Sequence, residues 1–200
     1  MLKLDIGCGA APRPGFIGVD FVGAPEVRCD IAADPLPFPD RGADYIYSSH
    51  CLEHIAHDRL IHVFREITRV AANGASVEIW HPHLFHEDAF VLDHITRLGE
   101  ALYAGLHKYW AASLGARWLI QEVRYRVEPH VLQDVAAQGI NLDFAVCHLH
   151  DIVKEIGIFI QIYRGSAPAS TRYKRSLCDP REVISLHLED GPRVGPLPHR

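Results

Sequence analysis

Acids and histidines stand at the ends of apolar runs along this chain. Asp5 precedes Ile6-Gly7-Cys8-Gly9, Asp20 closes Phe16-Ile17-Gly18-Val19, Asp30 closes a third short run, and Glu53 follows Ser48-Ser49-His50-Cys51-Leu52. Glycines at 7 and 9 let a backbone approach a ligand closely, and an acid at the tip of a second strand can accept both hydroxyls of a ribose. That pattern suits an adenosine-type cofactor. His50, His54, His81 and His83 fall at the other strand ends. A positioned imidazole that removes a proton is typically worth ~10²–10⁴-fold in rate. By position His83 is the first candidate base and His50 the second. His81-Pro82-His83, followed by His86, Glu87 and Asp88, and His148-Leu149-His150-Asp151 each place two imidazoles at i, i+2 on one side of an extended segment. Neither completes a spaced ligand motif, so no metal is assigned.

The elements that must position these residues follow from periodicity. Leu2–Ile6, Phe16–Phe21, Glu26–Ile31, Ala43–Ser48 and Ala75–Trp80 read as strands. Leu60, Val63, Phe64, Ile67 and Val70 recur at three- and four-residue spacing and predict a helix from Asp58 to Ala71, with Asn73-Gly74 as its stop. Only Ala10–Gly15, with Pro12, Pro14 and Gly15, separates Gly9 from the second strand. Parallel neighbours normally need a dozen or more residues of crossover, so the first helix is a single turn or missing. Glu87 to about Leu114 reads as largely helical. Trp118–Val127 and Asp143–His148 are possible strands flanking a helix near Val131–Gln138, and Gly157–Arg164 is strongly β-patterned. The last two of these strands are expected to pair as a hairpin-like closing element.

The order is that of an α/β, Rossmann-like, mostly parallel sheet with a shortened first crossover and a helical insertion after the fifth strand. Residues 1–164 form the domain, 84–119 the insertion and 165–200 a Pro/Arg-rich tail read as mobile or surface-draped. Two hundred residues suffice for one sizeable core. A net charge of −5 argues against non-specific nucleic-acid binding. No apolar run approaches a membrane span, and the first strand starts too early to leave room for a leader. Five scattered cysteines without a CxxC pair fit reduced thiols in a cytoplasm. The histidine count, 14, keeps acid–base and metal chemistry in view.

Several motifs together resemble class I S-adenosylmethionine (SAM)-dependent methyltransferases over roughly residues 2–82. They are Leu4-Asp5-Ile6-Gly7-Cys8-Gly9, Asp20, Asp30-Ile31 with Leu36-Pro37-Phe38-Pro39-Asp40, Ala43-Asp44-Tyr45-Ile46-Tyr47-Ser48-Ser49-His50, Leu52-Glu53-His54-Ile55, and the helix ending Arg65-Glu66-Ile67-Thr68-Arg69-Val70. Asn73-Gly74 stands where the family usually has a Pro-Gly-Gly turn. The short Ala10–Gly15 link and the Ser-His-x-Leu-Glu-His phrase resemble a branch of small methyltransferases of unassigned substrate. The resemblance implies that Asp5, Gly7 and Gly9 line the methionine end of SAM, and that Asp20 takes the ribose hydroxyls. Phe21 or Val22 would pack on the adenine, Asp30 and Ile31 flank its edge, and Ser48 and His50 lie under the sulfonium. Asp93-His94 resembles an Asp–His element of this branch, with Asp93 orienting a nearby imidazole. Ala11 replaces a third glycine. The missing helix favours SAM over NAD, because a pyrophosphate wants the amides of a full helix N-terminus.

The expected function is methyl transfer from SAM to a small-molecule or sugar-type acceptor, with His-assisted deprotonation by His83 or His50 and support from Asp93. The alternative is a SAM- or nucleoside-binding protein without methyl transfer, serving as a regulatory or partner subunit. The acceptor would be gripped by Leu84–Leu119, the Gln138–His150 region and the tail. Tyr103, Tyr109, Trp110 and Trp118 could form an aromatic wall over it, although at helical spacing such residues usually belong to a core. Glu53 is expected to fix the loop after the fourth strand. The scant cover makes a homodimer possible.

Overall fold

The computed structural model describes residues 1–165, 172–178 and 183–186. Its centre is a nine-stranded sheet in the order β3-β2-β1-β4-β5-β7-β6-β8-β9. Strands β1 (Leu2–Ile6), β2 (Ile17–Asp20), β3 (Val27–Arg28), β4 (Ala43–Ser49) and β5 (Ala71–Pro82) run parallel. Strand β7 (Glu155–Tyr163) enters antiparallel between β5 and β6 (Arg117–Arg126). This is the Rossmann-like, mostly parallel arrangement that the element order implied, and the crossover from β1 to β2 contains no helix.

Alternation along the strands sorts side chains onto two faces. Leu4, Ile6, Ile46, Val77, Ile79, Ile158, Ile160 and Trp118 face α1 (His57–Val70) and the following helical segment, and all are buried. There Phe64 of α1 meets both Tyr103 of α2 (Glu100–Gly105) and the indole of Trp118 edge-on, and Trp118 Nε1 donates to Thr68 Oγ1 at 2.9 Å. The opposite face carries Tyr47, Glu78, Trp80, Phe159 and Arg124. Its contacts run between strand side chains: Arg124 lies over Phe159 at 4.2 Å and Arg126 over Trp80 at 5.2 Å, and Trp80 Nε1 donates to Glu78 Oε1. Gly157 leaves the space that the Trp80 ring occupies; a Cβ there would stand 2.6 Å from it.

Several sequence expectations change. Asp143–His148 is not a strand but lies in α5 (Leu142–His148). Asn141 caps it by accepting from the Phe144 amide, and Leu142, Ala145 and Val146 turn one side inward. The closing hairpin is therefore absent in the expected form: β7 pairs with β5 and β6, while α4 (Pro129–Ala137) and α5 fill the connection. The insertion is less helical than its apolar spacing suggests. Glu87–Phe90 is one 3-10 turn, residues 91–99 are irregular, and helix resumes only at Glu100, running through a π-turn (Leu106–Trp110) into α3 (Ala111–Leu114). Asp93-His94 thus sits on the irregular segment. Asn73-Gly74 does not stop the helix; it lies inside β5 at a bulge against β4, where Gly74 takes φ +83° and Asn73 Oδ1 accepts from the Arg164 amide.

Part of the presumed tail is also sheet. Strand β8 (Lys174–Cys178) pairs parallel with β6, β9 (Val183–Leu186) pairs with β8, and Ser176 and Leu177 are buried. Arg175 explains why a basic stretch can sit there: its guanidinium binds Glu100 at 2.6 Å, and Tyr125 and Tyr173 donate to the same carboxylate. The rest of the stretch after Gly165, Arg181 included, lies outside the described residues.

Candidate active site at the strand tips

The turn after β1 is built by two acids. Gly7 and Gly9 hold φ +73° and +59°, a region L side chains rarely adopt. Asp20 Oδ2 accepts from the Gly9 amide at 2.8 Å and Oδ1 from the Val22 amide at 2.9 Å. Asp5 Oδ2 accepts from the Arg13 amide at 2.7 Å. A helix would have satisfied such amides internally; without one, the acids do it. Burial pushes the Asp5 carboxyl up, and the Arg13 amide partly offsets this. The Arg13 guanidinium then lies over Tyr47 at 4.3 Å and binds Glu78 at 3.1 Å. Beyond Asp20, Phe21 and Val22 are exposed apolar side chains. Asp30 Oδ1 accepts from the Ala32 amide, and Ile31 is buried in the core.

The turn meets the segment after β4 at Cys51, whose side chain fills the space that a Gly7 Cβ would need. Gly9 has no neighbour within 4 Å on its Cβ side. The cradle is thus closed behind Gly7 and open at Gly9. Burial, with Glu53 and Asp20 nearby, raises the Cys51 thiol to about 12, so it stays protonated.

The tips of β4 and β5 are organised differently. Ser48 Oγ, both Glu53 carboxylate oxygens, His81 Nε2 and the Tyr103 hydroxyl are buried without a hydrogen-bond partner. His81 stacks on Tyr103 at 5.8 Å and spends Nδ1 on the Pro82 carbonyl. Burial lowers His81 to about 4 and lifts the Tyr103 hydroxyl well above 10. His50, with φ +50°, is held between Glu155 (3.6 Å) and Glu53 (3.3 Å). These two carboxylates raise its imidazole to about 9. It is therefore charged at neutral pH and holds no lone pair for proton removal, which argues against its expected role as a base. His83 is neutral: burial lowers it to about 4, and its amide donates to the Lys154 carbonyl.

Asp93 meets neither His83 nor His50. It is exposed and lies 3.7 Å from His54 Nδ1. Glu53 does help fix its loop, but through its backbone carbonyl, which accepts from Thr96 N at 3.0 Å. Tyr103 and Trp118 are core residues; Tyr109 and Trp110 are exposed. Sequence reasoning missed the importance of Cys51 and Arg13, and it weighed Tyr103 only as an acceptor wall or core residue, not as the partner of His81. Cys51 sits inside the Ser-His-x-Leu-Glu-His phrase and Arg13 inside the short link, while nothing local to Tyr103 points to the strand tips some 20 residues earlier. A cavity of about 630 Å³ lined by His107, Lys108, Arg117 and Tyr173 borders β6 and takes no wall from these tips.

Residues 12–79 match the methyltransferase domain family. No curated protein matches the chain. Among solved structures it resembles a SAM-dependent methyltransferase from Archaeoglobus fulgidus (16% identity, 80% of this chain and 85% of that one, TM-score 0.56). It also resembles one from Mesorhizobium loti (14%, 80% and 90%, 0.51) and the YcgJ protein of Bacillus subtilis (15%, 82% and 92%, 0.52). The chain thus has the class I SAM-dependent methyltransferase fold. The family match is confined to residues 12–79, the part of the chain that runs from just before β2 into β5.

Proposed function

We propose that this chain methylates a small-molecule or sugar-type acceptor, binding SAM across the tips of β1, β2 and β4. The observation that carries this reading is the pairing of the open, positive-φ Gly9 with Asp20. Each Asp20 oxygen gives one lone pair to a backbone amide and keeps another for a ribose hydroxyl. Exposed Phe21 and Val22 suit the adenine, and the unpartnered Ser48 hydroxyl suits a polar group of the methionine end. Asp5 supports the turn from behind. When bound, SAM supplies an electrophilic methyl on a sulfonium.

The chain's own part is alignment and proton handling. Holding two reactants in line can be worth ~7–11 kcal/mol. His83 remains the base of this reading, because its imidazole is neutral; at about 4 it is a weak one, so alignment dominates. Exposed Phe85, Phe90, Leu92 and Ile95 on the segment after β5 suit an acceptor surface or a second subunit, and the homodimer belongs to this proposal. So does a cytoplasmic setting: the described residues contain no helix long and apolar enough to cross a membrane, and all five cysteines are free.

Calorimetry with SAM and S-adenosylhomocysteine, followed by radiolabelled methyl transfer to a panel of sugars and small alcohols, tests the reading. Binding and turnover are expected. Binding without turnover on any acceptor would favour the regulatory alternative, and no binding of either ligand would overturn the assignment.

A further inference from the structure

Glu53 and His54 follow β4 on a 3-10 turn (Leu52–His54), and His94 comes from the irregular segment some 40 residues later. One ligand atom from each of the three lies within 4.8 Å of the others. The imidazole rings of His54 and His94 meet at 4.7 Å, inclined by 75°. His54 Nδ1 lies 3.0 Å from the Asp93 carbonyl and His94 Nδ1 2.6 Å from the Asp88 carbonyl. A carbonyl only accepts, so both rings carry their proton on Nδ1 and their lone pair on Nε2. Fixing the tautomer through the remote nitrogen is the arrangement that metal-binding histidines almost always show.

The acid supplies the second, independent observation. Glu53 is 2% exposed, yet neither carboxylate oxygen has a hydrogen-bond donor in the protein. Oε1 forms an ion pair with His50 at 3.3 Å, whereas Oε2 has neither a hydrogen-bond donor nor an ion-pair partner among the described residues. His50 offsets part of the charge, but a buried carboxylate oxygen without a donor remains costly, and a coordinated cation relieves that cost. The geometry points to a divalent transition-metal site, zinc by its donors, formed by Glu53, His54 and His94. Two imidazoles and a carboxylate leave a fourth tetrahedral position for water or another ligand. Ligand atoms around tetrahedral zinc stand roughly 3.4 Å apart, so closing the set needs side-chain movement on the order of an ångström.

The ion would join two segments that the sequence keeps apart. Thr96 already clips the irregular segment to the β4 turn, through its amide on Glu53 O and its hydroxyl on Ile55 O. A metal at Glu53, His54 and His94 would pin the same two pieces at the acceptor side of the strand tips and balance the buried charge. The site differs from the His81–His83 and His148–His150 pairs that the sequence brings forward. Of the described residues, only Glu53, His54 and His94 bring three such ligand atoms together.

The test titrates the EDTA-treated full chain with Zn²⁺ against a chromophoric chelator, and with Co²⁺ by visible absorption. One tight equivalent and a tetrahedral cobalt spectrum are expected. His54→Ala and His94→Ala should each weaken the tight site by at least about a hundredfold, beyond the roughly 10–100-fold that outer-shell changes cost. Both side chains are partly exposed, so these variants spare the core. Zinc should raise the melting temperature of the wild type and not of His94→Ala. The paired change His148→Ala/His150→Ala should leave the tight site intact. Absence of a tight equivalent, retention of it in His94→Ala, or its loss in the His148/His150 control would overturn the proposal. None of these readouts depends on SAM or on turnover.

Discussion

The tips of β1 and β2 and the tips of β4 and β5 both hold buried polar groups, and they use them in opposite ways. At the first pair every acid is spent on the chain itself: Asp5 on Arg13 N, Asp20 on Gly9 N and Val22 N. At the second pair Ser48 Oγ, Glu53 Oε2, His81 Nε2 and the Tyr103 hydroxyl are buried without a hydrogen-bond partner. A buried polar group without a partner costs about 1–3 kcal/mol. The proposed cofactor end is therefore shaped by folding, whereas the proposed reaction end keeps buried polar atoms without hydrogen-bond partners. The short crossover explains the first half of this contrast. Where the chain has no helix to bond its own amides, the acids that precede and follow the turn become structural.

The contrast can be broken at Asp20. Asp20→Asn puts an amide NH₂ against one of two backbone N–H groups, and should destabilise the fold by about 3 kcal/mol, since hydrogen bonds to charged groups are worth about 1.5–3 each. Chemical denaturation reads that loss, and calorimetry should show SAM affinity falling at least tenfold. Unchanged affinity would refute the ribose role.

The two glycines should separate next. Gly7→Ala meets Cys51 and a left-handed backbone, so a cost of about 2 kcal/mol or more is expected; Gly9→Ala meets only the backbone penalty of about 1–2 kcal/mol. If Gly9→Ala nonetheless weakens SAM more than it weakens the fold, the open side of Gly9 is the ligand's side.

Glu100 extends the comparison to a further, partly buried acid, satisfied like Asp20. Burial alone would push its carboxyl up, but Arg175, Tyr125 and Tyr173 outweigh it and hold the group below its ordinary 4.5. Since the folded value is the lower one, its stabilisation is complete above that pH and is lost as pH falls through the folded value. Urea midpoints measured between pH 6 and 3 should show Glu100→Gln losing part of the acid sensitivity, an effect on the order of 1 kcal/mol. The smallest effect belongs to Glu53→Gln. Removing the charge saves a desolvation cost but gives up the His50 ion pair, so metal-free stability should change by no more than about 1 kcal/mol in either direction. A loss of about 2 kcal/mol or more on thermal unfolding would mean that Glu53 is a structural acid after all, and the contrast between the two pairs of tips would collapse.

These distinctions were unevenly legible in the sequence. The strands through β5, the α1 face and the missing first helix follow from apolar spacing and the six-residue link, because they are local. Asp5, Gly7, Gly9 and Asp20 were legible for the same reason. Asp143–His148 misled because a short apolar run is shared by strands and half-buried helices; the Asn141 cap was the available signal. The segment around Asp93 carries helical spacing but ends at Gly99 and is clipped by Thr96, a contact 41 residues away in sequence. Long-range pairing likewise decided His50. Its neighbour Glu53 is visible in the motif, whereas Glu155 arrives with β7, and together they turn a candidate base into a cation.

The division of the sheet into two differently dressed faces has a spectroscopic consequence. Trp118 is fully enclosed against Phe64, Trp80 is 8% exposed between a guanidinium and a carboxylate on the other face, and Trp110 is 43% exposed on the π-turn. Three indoles thus sample three depths, and their intrinsic fluorescence should divide into a blue-shifted, unquenchable emission, an intermediate one and a red-shifted fraction open to acrylamide. Replacing each tryptophan by phenylalanine assigns the fractions. The chain thereby carries its own optical gauge of whether one side of the sheet loosens before the other.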